Sequence, residues 1–431
     1  MRTPYRLVRS VLAGALLAGV AMVSGGCAAE EQPSLVVLGP WTDGEERSFK
    51  KTLAKIGERT GRHYVYKGTR SLRETLVAQL RTDAPPDVAI LNGPGELAEY
   101  ARDGDAYPLP PEVEHAAIGP WAPDVTTVGK DTTMGERAYW VPIRVDLKSI
   151  VWSRGGERDA TPEDAVWCLG MASGATSGWP GTDWIEDLLL QRQGYEVYER
   201  WATGKLPWTG KEVRQAWLDW ASVLASDRPT NAVDSLTKNF ENLRAGRYGL
   251  LNAKDCTREH QGSFIGRHYG PDVMPAPTSD FIDWLPKDQR AFEVSGDMAA
   301  VFKPSAGAWE LMLALTSPET RTDWVEAADP RERPHFPSGA LGMTGKHAPT
   351  GSSAAVLTML DEADQICLDA SDAMPSTLRG AFQRAVLQFL EDREKTEALD
   401  RLLGQLEAER TLQRKADAFV LDDLCDVPPG G

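Results

Sequence analysis

Ser34 to Leu38 is a short run of apolar and β-branched residues, and Phe49, Leu53 and Ile56 then recur at helical spacing until Thr60-Gly61. The first pattern predicts a strand and the second an amphipathic helix, with Asp43-Gly44-Glu45-Glu46 offering a cap and first-turn acids. His63 to Tyr66 predicts a second strand, Leu72, Leu76 and Leu80 a second helix, Asp87 to Leu91 a third strand, and Pro94 to Arg102 a third helix. Strands alternating with helices specify a parallel sheet covered by helices, an α/β fold. Ligands of such open sheets gather beyond the carboxyl ends of the strands. Trp41 and the turn Asn92-Gly93-Pro94-Gly95 stand at such ends.

The middle of the chain reads as helical. Thr161-Pro162-Glu163-Asp164 looks like a capped start with proline at the first position. Thr182 to Gln193 places Ile185, Leu188 and Leu189 on one face, and Thr209-Gly210-Lys211-Glu212 has capping-box spacing ahead of Val213, Trp217, Trp220 and Leu224. A strand-like stretch returns near Gly249 to Asn252, and Ser317-Pro318-Glu319 opens another helix through Val325. Long helical periodicity runs from Thr377 to about Leu421.

The N-terminus changes the picture. Arg2, Arg6 and Arg9 flank an apolar run from Val11 to Val23, whose 13 residues reach only ~20 Å against a ~30 Å hydrocarbon core. It therefore reads as the core of a signal peptide, residues 1–26. The small residues Ser24-Gly25-Gly26 before Cys27 resemble a bacterial lipobox, which would make Cys27 the lipidated first residue of the mature chain and 28–33 a polar tether. Ser24 stands where that motif usually has leucine; the alternative is ordinary cleavage near Ala28 with Cys27 free. The formal net charge is −16, and losing the three arginines makes it −19. An acidic surface opposes binding to phosphate backbones, so nucleic acid is not an expected partner. Membrane contact is expected through the lipid alone. Beyond Cys27, Cys168, Cys256, Cys367 and Cys425 remain, an even number that favours disulfides outside the cytoplasm, with three pairings possible.

No constellation for catalysis stands out. His63, His115, His260, His268, His335 and His347 are scattered without a zinc motif, and no metal or other cofactor is expected. Gly339 to His347 superficially suggests a phosphate loop, but its spacing is off and His347 replaces the required hydroxyl residue, so it reads as a glycine-rich connection. Asp183 and Asp187 stand four apart on a helix; a glycosidase needs two acids ~5–9.5 Å apart, but a solvated helix face explains the pair more simply. The composition has one oddity: the chain has 14 tryptophans against 10 phenylalanines and 10 tyrosines, although Trp is normally the rarest of the three.

From Val36 onward the chain resembles the bacterial family 1 extracellular solute-binding proteins, receptors of ABC sugar importers. Gly68-Thr69-Arg70, Ala84-Pro85-Pro86-Asp87-Val88-Ala89 and Leu97-Ala98 with Gly104 and Pro108-Leu109 look like its first-lobe blocks. Trp140-Val141-Pro142 and Asp146-Leu147-Lys148-Ser149-Ile150-Val151-Trp152 look like the crossing to the second lobe. Trp167-Cys168-Leu169-Gly170, the run from Ser177 to Asp187, and Leu206-Pro207-Trp208 resemble a branch associated with oligosaccharides, and Cys256 with Gln261-Gly262-Ser263-Phe264 is similar to that branch's partner cysteine segment. Ser295-Gly296-Asp297 and Ser371-Asp372-Ala373-Met374-Pro375 match further; Lys303-Pro304-Ser305-Ala306-Gly307 departs from the family's pattern.

The resemblance implies a two-lobed periplasmic-binding-protein type II fold with a hinge and an interlobe ligand cleft. Lobe 1 is expected from 34–144 plus 293–340 and lobe 2 from 145–292 plus 341–425. The disulfides expected are Cys168–Cys256 and Cys367–Cys425, each worth ~4 kcal/mol in the chain-entropy model. The implied function is that of a monomeric substrate-binding lipoprotein on the outer face of the cell membrane, handing a carbohydrate, an oligosaccharide in this branch, to ABC permease subunits. Candidate contacts are Trp41, Trp140, Trp179 and Trp184 for stacking and Asp43, Arg70, Asn92, Asp183 and Asp297 for hydroxyls, with Trp217, Trp220 and Trp324 assigned to the core. Two other classes remain open at this point: a secreted glycoside hydrolase, and a sensory lipoprotein for a non-sugar solute.

Overall fold

The computed structural model describes residues 34–128, 134–155, 165–225, 231–241, 248–288, 290–337, 348–392 and 396–426. The signal segment with Cys27 and its tether, the helix start at 161–164 and the glycine-rich 339–347 stretch lie outside these residues.

The chain opens as β1 (Leu35–Gly39), α1 (Glu46–Thr60), β2 (Tyr64–Gly68), α2 (Leu72–Arg81), β3 (Val88–Leu91) and α3 (Pro94–Asp103). The apolar spacing in α1 buries Phe49, Leu53 and Ile56, and the helix stops at Gly61, which is left-handed at φ 68° and donates its N–H to Gly57. After α4 (Pro111–Glu114) come an antiparallel pair, β4 (Val125–Val128) and β5 (Met134–Arg137), then β6 (Trp140–Leu147) and β7 (Ile150–Arg154). A helical block follows: α5 (Trp179–Gln193), α6 (Tyr195–Ala202), α7 (Lys211–Ala225) and α8 (Asn231–Asp234). The stretch expected as a strand near residue 250 is a short helical turn, Leu250–Ala253. Next are β8 (Arg258–His260), β9 (Val273–Pro277), β10 (Ala291–Val301), α9 (Ala306–Thr316), α10 (Pro318–Ala327) and α11 (Ser352–Asp361). The chain closes with β11 (Gln365–Leu368), α12 (Ala370–Ala373), α13 (Ser376–Asp392), α14 (Thr396–Lys415) and β12 (Cys425–Asp426).

Among the described residues the main sheet runs β12-β11-β10-β3-β1-β2, with β6 also paired to β10, and a second sheet runs β8-β7-β9. β10 is the long crossing strand. Its first residues pair in parallel with β11, its last pair antiparallel with β3, and β6 lies antiparallel along most of it. Two apolar cores result. Val37, Val88, Ile90, Ala299 and Val301 face the smaller one with α1, while Leu38, Ala89, Leu91, Met298 and Ala300 face the larger, as the two-residue pleat requires.

β6 breaks that alternation. Asp297 pairs with Arg144 but Met298 pairs with Pro142, so Ile143 is an extra residue. Val141 and Ile143 therefore face the smaller core while Val145 and Leu147, of the same parity, face the larger.

The larger core is rich in indole. Trp201, Trp208 and Trp217 pack around Phe382, and Trp220 stacks on Phe389 at 5.5 Å, which ties α6 and α7 to α13. Each fully buried ring of this size contributes ~1.5–3 kcal/mol by leaving water. Two disulfides are present, Cys168–Cys256 and Cys367–Cys425, closing separations of 88 and 58 residues.

Candidate functional site

β1, β2 and β3 are parallel neighbours, so the segments that follow them emerge on one edge of the sheet. That edge collects Trp41, Asp43, Arg70 and Asn92. Asp297 joins them because antiparallel β10 sets Met298 against Leu91, the last residue of β3. Asp43 and Asn92 are exposed; Asp43 is left-handed at φ 57° and accepts a hydrogen bond from the Thr42 hydroxyl at 2.8 Å. Asp43 does not cap α1; the Glu46 carboxylate takes the Gly44 N–H instead, at 2.9 Å. Arg70 is exposed and its Nη2 donates to Glu45 at 2.7 Å.

Trp41 turns inward. Its backbone N–H donates to the Tyr66 hydroxyl at 2.8 Å, and its ring meets Phe49 and Trp324 edge-on at 4.9 and 5.6 Å. The Arg144 guanidinium lies over the indole, 5.0 Å from its centroid, and its Nε donates to Asp297 at 2.7 Å. Asp297 is buried, and burial pushes its pKa up to about 6 although Arg144 pulls the other way. The bulge in β6 is what sets Arg144 opposite Asp297.

The turn Ser263–His268 links this edge to the start of α5, its Arg267 ion-paired to Glu45 and its Phe264 packed on Trp179. Gly178, left-handed at φ 104°, lies against the Gln383 backbone so closely that a Cβ would sit 2.3 Å from its carbonyl oxygen. The helix thus begins with Trp179 half-buried, edge-on to Phe240 at 4.9 Å and tilted against Phe264 at 5.9 Å. Lys148 sits 5.4 Å from the Trp179 centroid. Its Nζ is clamped by Asp183 at 3.0 Å and Asp369 at 2.6 Å, all three side chains buried.

Asp183, Glu186 and Asp369 bring one carboxylate oxygen each within 4.8 Å of one another, a donor set with metal-like spacing. Lys148 supplies a cation to Asp183 and Asp369, while Asp183 Oδ1 and Glu186 Oε1 are buried without a hydrogen-bond partner. Burial pushes Glu186 well above the ordinary carboxylate range, helped by the charges of Asp369 and Asp183. Burial likewise raises Asp183 despite Lys148, whereas at Asp369 the Lys148 charge and hydrogen bond outweigh burial and hold it below that range. The carboxyl of Asp372, itself raised by burial, pairs with Arg379 at 3.1 Å.

Like Trp41, two more of the tryptophans expected to stack on a ligand are enclosed by protein. Trp140 lies in the sheet opposite Ala300 and donates its indole N–H to the Trp121 carbonyl at 2.9 Å. Trp184 is stacked on His260 at 4.3 Å and edge-on to Trp167 at 4.9 Å. Neither offers a face, because α5 is buried on nearly every side and β6 is covered by both cores. Residues that the sequence reading did not single out hold much of the site: Arg144, Lys148, Glu45, Phe240, Phe264, Arg267 and Asp369. Lys148 had a usable signal, a charged residue between the apolar runs of β6 and β7.

No family model matches the chain. It is 27% identical over 391 residues to the alpha-glucosides-binding periplasmic protein AglE of Rhizobium meliloti, covering 83% of each chain. It is 26% identical over 413 residues to the osmoprotective compounds-binding protein GgtB of Synechocystis sp., covering 86% of this chain and 92% of that one. Among solved structures, the bacterial solute receptor AcbH, described as preferring β-D-galactopyranose, superposes with a TM-score of 0.65 at 12% identity, over 88% of this chain and 98% of that one. The fold is therefore the two-lobed α/β fold of periplasmic binding proteins, and the relatives are binding proteins, matching the family 1 solute-binding resemblance. Such relatives point to export, and no helix among the described residues is long and apolar enough to cross a membrane.

Proposed function

We propose that this chain is the substrate-binding lipoprotein of an ABC importer, anchored through Cys27, which closes two lobes on a neutral carbohydrate and presents it to a permease. The lobes are 34–144 with 293–340 and 145–292 with 341–425, and the crossing strands β6 and β10 form the cleft floor. Trp179 is the observation that carries the reading: of the four candidate stacking tryptophans it is the one that is half-buried and not enclosed. The charges beside the candidate tryptophans, Lys148 with Asp183 next to Trp179 and Arg144 with Asp297 next to Trp41, are paired to each other, which suits a ligand without net charge. An α-glucoside is the first ligand to test, since the relative AglE is named for that class. Asp183, the acid a hydrolase would use, is enclosed and ion-paired, which supports binding over turnover.

The test is a titration with a panel of mono- and oligosaccharides, read by tryptophan emission and melting temperature. A binding sugar shifts both, with a dissociation constant on the order of micromolar, and Trp179→Ala removes the response while the protein still melts cooperatively. If no sugar in the panel shifts either signal, the carbohydrate assignment fails.

A further inference from the structure

Glu45 and Arg267 come from connections of different sheets. Glu45 immediately precedes α1, between β1 and β2 of the main sheet. Arg267 lies in the short helical turn Ser263–His268, between β8 and β9 of the second sheet. Between them charges alternate along one line. Arg70 donates to Glu45, the Arg267 guanidinium is ion-paired to both Glu45 and Glu241, and His268 Nε2 lies 3.1 Å from Glu241. Arg267 keeps 14% of its side-chain surface, Glu45 17% and Glu241 7%, so these pairs are far drier than ordinary surface ion pairs.

The arrangement is asymmetric. Glu241 and His268 come from the same side as Arg267, and Glu241 is held down to about 2 by the His268 hydrogen bond and the Arg267 charge, against burial. If the two sides part, Arg267 keeps Glu241, and Glu45 keeps Arg70 and gains water. Neither is stranded as an isolated buried charge, the outcome that makes breaking a buried pair expensive.

We infer that Arg267 is a positioning residue that latches the cleft shut: Glu241 holds it ready on lobe 2, and on closure it captures Glu45 of lobe 1. This rests on the two-lobe reading of the proposed function. It makes closure partly independent of ligand, since every member of the latch belongs to the chain itself.

The test is small-angle scattering on the full chain without any sugar, so a negative carbohydrate panel leaves its result intact. Wild type should sit near the ~22 Å radius of gyration of a compact chain of this length, and Glu45→Gln should raise it by about 1 Å. Arg267→Gln should do the same, the double variant should add nothing further, and Glu241→Gln should stay compact because Arg267 remains free to reach Glu45. Melting curves identify any variant that fails to fold, and Arg267→Gln replaces Glu45→Gln if that occurs. An unchanged radius in a folded Glu45→Gln or Arg267→Gln protein, or an equal expansion in Glu241→Gln, overturns the latch.

Discussion

The molecule contains two charge assemblies built to opposite rules. Around Lys148, acids outnumber bases: Asp183, Glu186, Glu293, Asp369 and Asp372 share a water-excluded interior with Lys148 and Arg379. Along Arg70, Glu45, Arg267 and Glu241 the signs alternate, and the line ends in exposed Arg70. An interior with surplus carboxyls has to retain protons, because ionising all of them in low dielectric costs more than the available cations return. An alternating line at a rim needs no protons and can be opened by water. The first assembly therefore governs whether the chain folds, and the second governs which shape the folded chain takes.

The sharpest way to break this contrast is Lys148→Met. It strands Asp183 and Asp369 without their cation and should cost about 3–5 kcal/mol, read as a lower urea midpoint; a loss under about 1 kcal/mol would mean the interior is not charged as described. Next is pH. A carboxyl whose folded pKa exceeds its unfolded value binds more protons when folded, so its stabilisation is complete below that unfolded value and disappears as pH climbs through the folded one. Glu259, buried in β8 where it accepts from the Tyr269 hydroxyl and pushed up to about 8 by burial, and Asp297, up to about 6, place the window between ~4 and ~8. The melting temperature should rise from pH 8.5 to pH 5.5, and Glu259→Gln should flatten that rise. Glu241, held down to about 2, opposes the trend only in stronger acid. Asp183→Asn comes third: it removes one of the surplus acids and should cost roughly 1–2 kcal/mol, clearly less than Lys148→Met by the same denaturation. Smallest is Glu45→Gln, which should change stability by less than about 1 kcal/mol while altering compactness.

What the sequence disclosed follows the same division. The alternation of β1, α1, β2, α2 and β3 was readable because each element carries its own local period, and the edge holding Trp41 and Asn92 followed from it. α5 was harder. It is buried on nearly all sides, so its polar residues Asp183 and Asp187 resemble a solvated face and its Trp184 resembles a free platform. The partner of Lys148 lies 221 residues away at Asp369, and that of Arg267 lies far upstream at Glu45. No local pattern records such pairings, because they exist only after the sheet has brought distant turns together.

The extra residue at Ile143 constrains how this stretch can vary. Between Trp140 and Leu147 the strand changes which core each parity serves, so losing or gaining one residue there would turn half of it inside out, exchanging Val145 and Leu147 for Arg144 and Asp146. Variation across this crossing should come as substitution at constant length. A gap drawn through it when sequences of this kind are aligned would signal a misplaced alignment sooner than a real deletion.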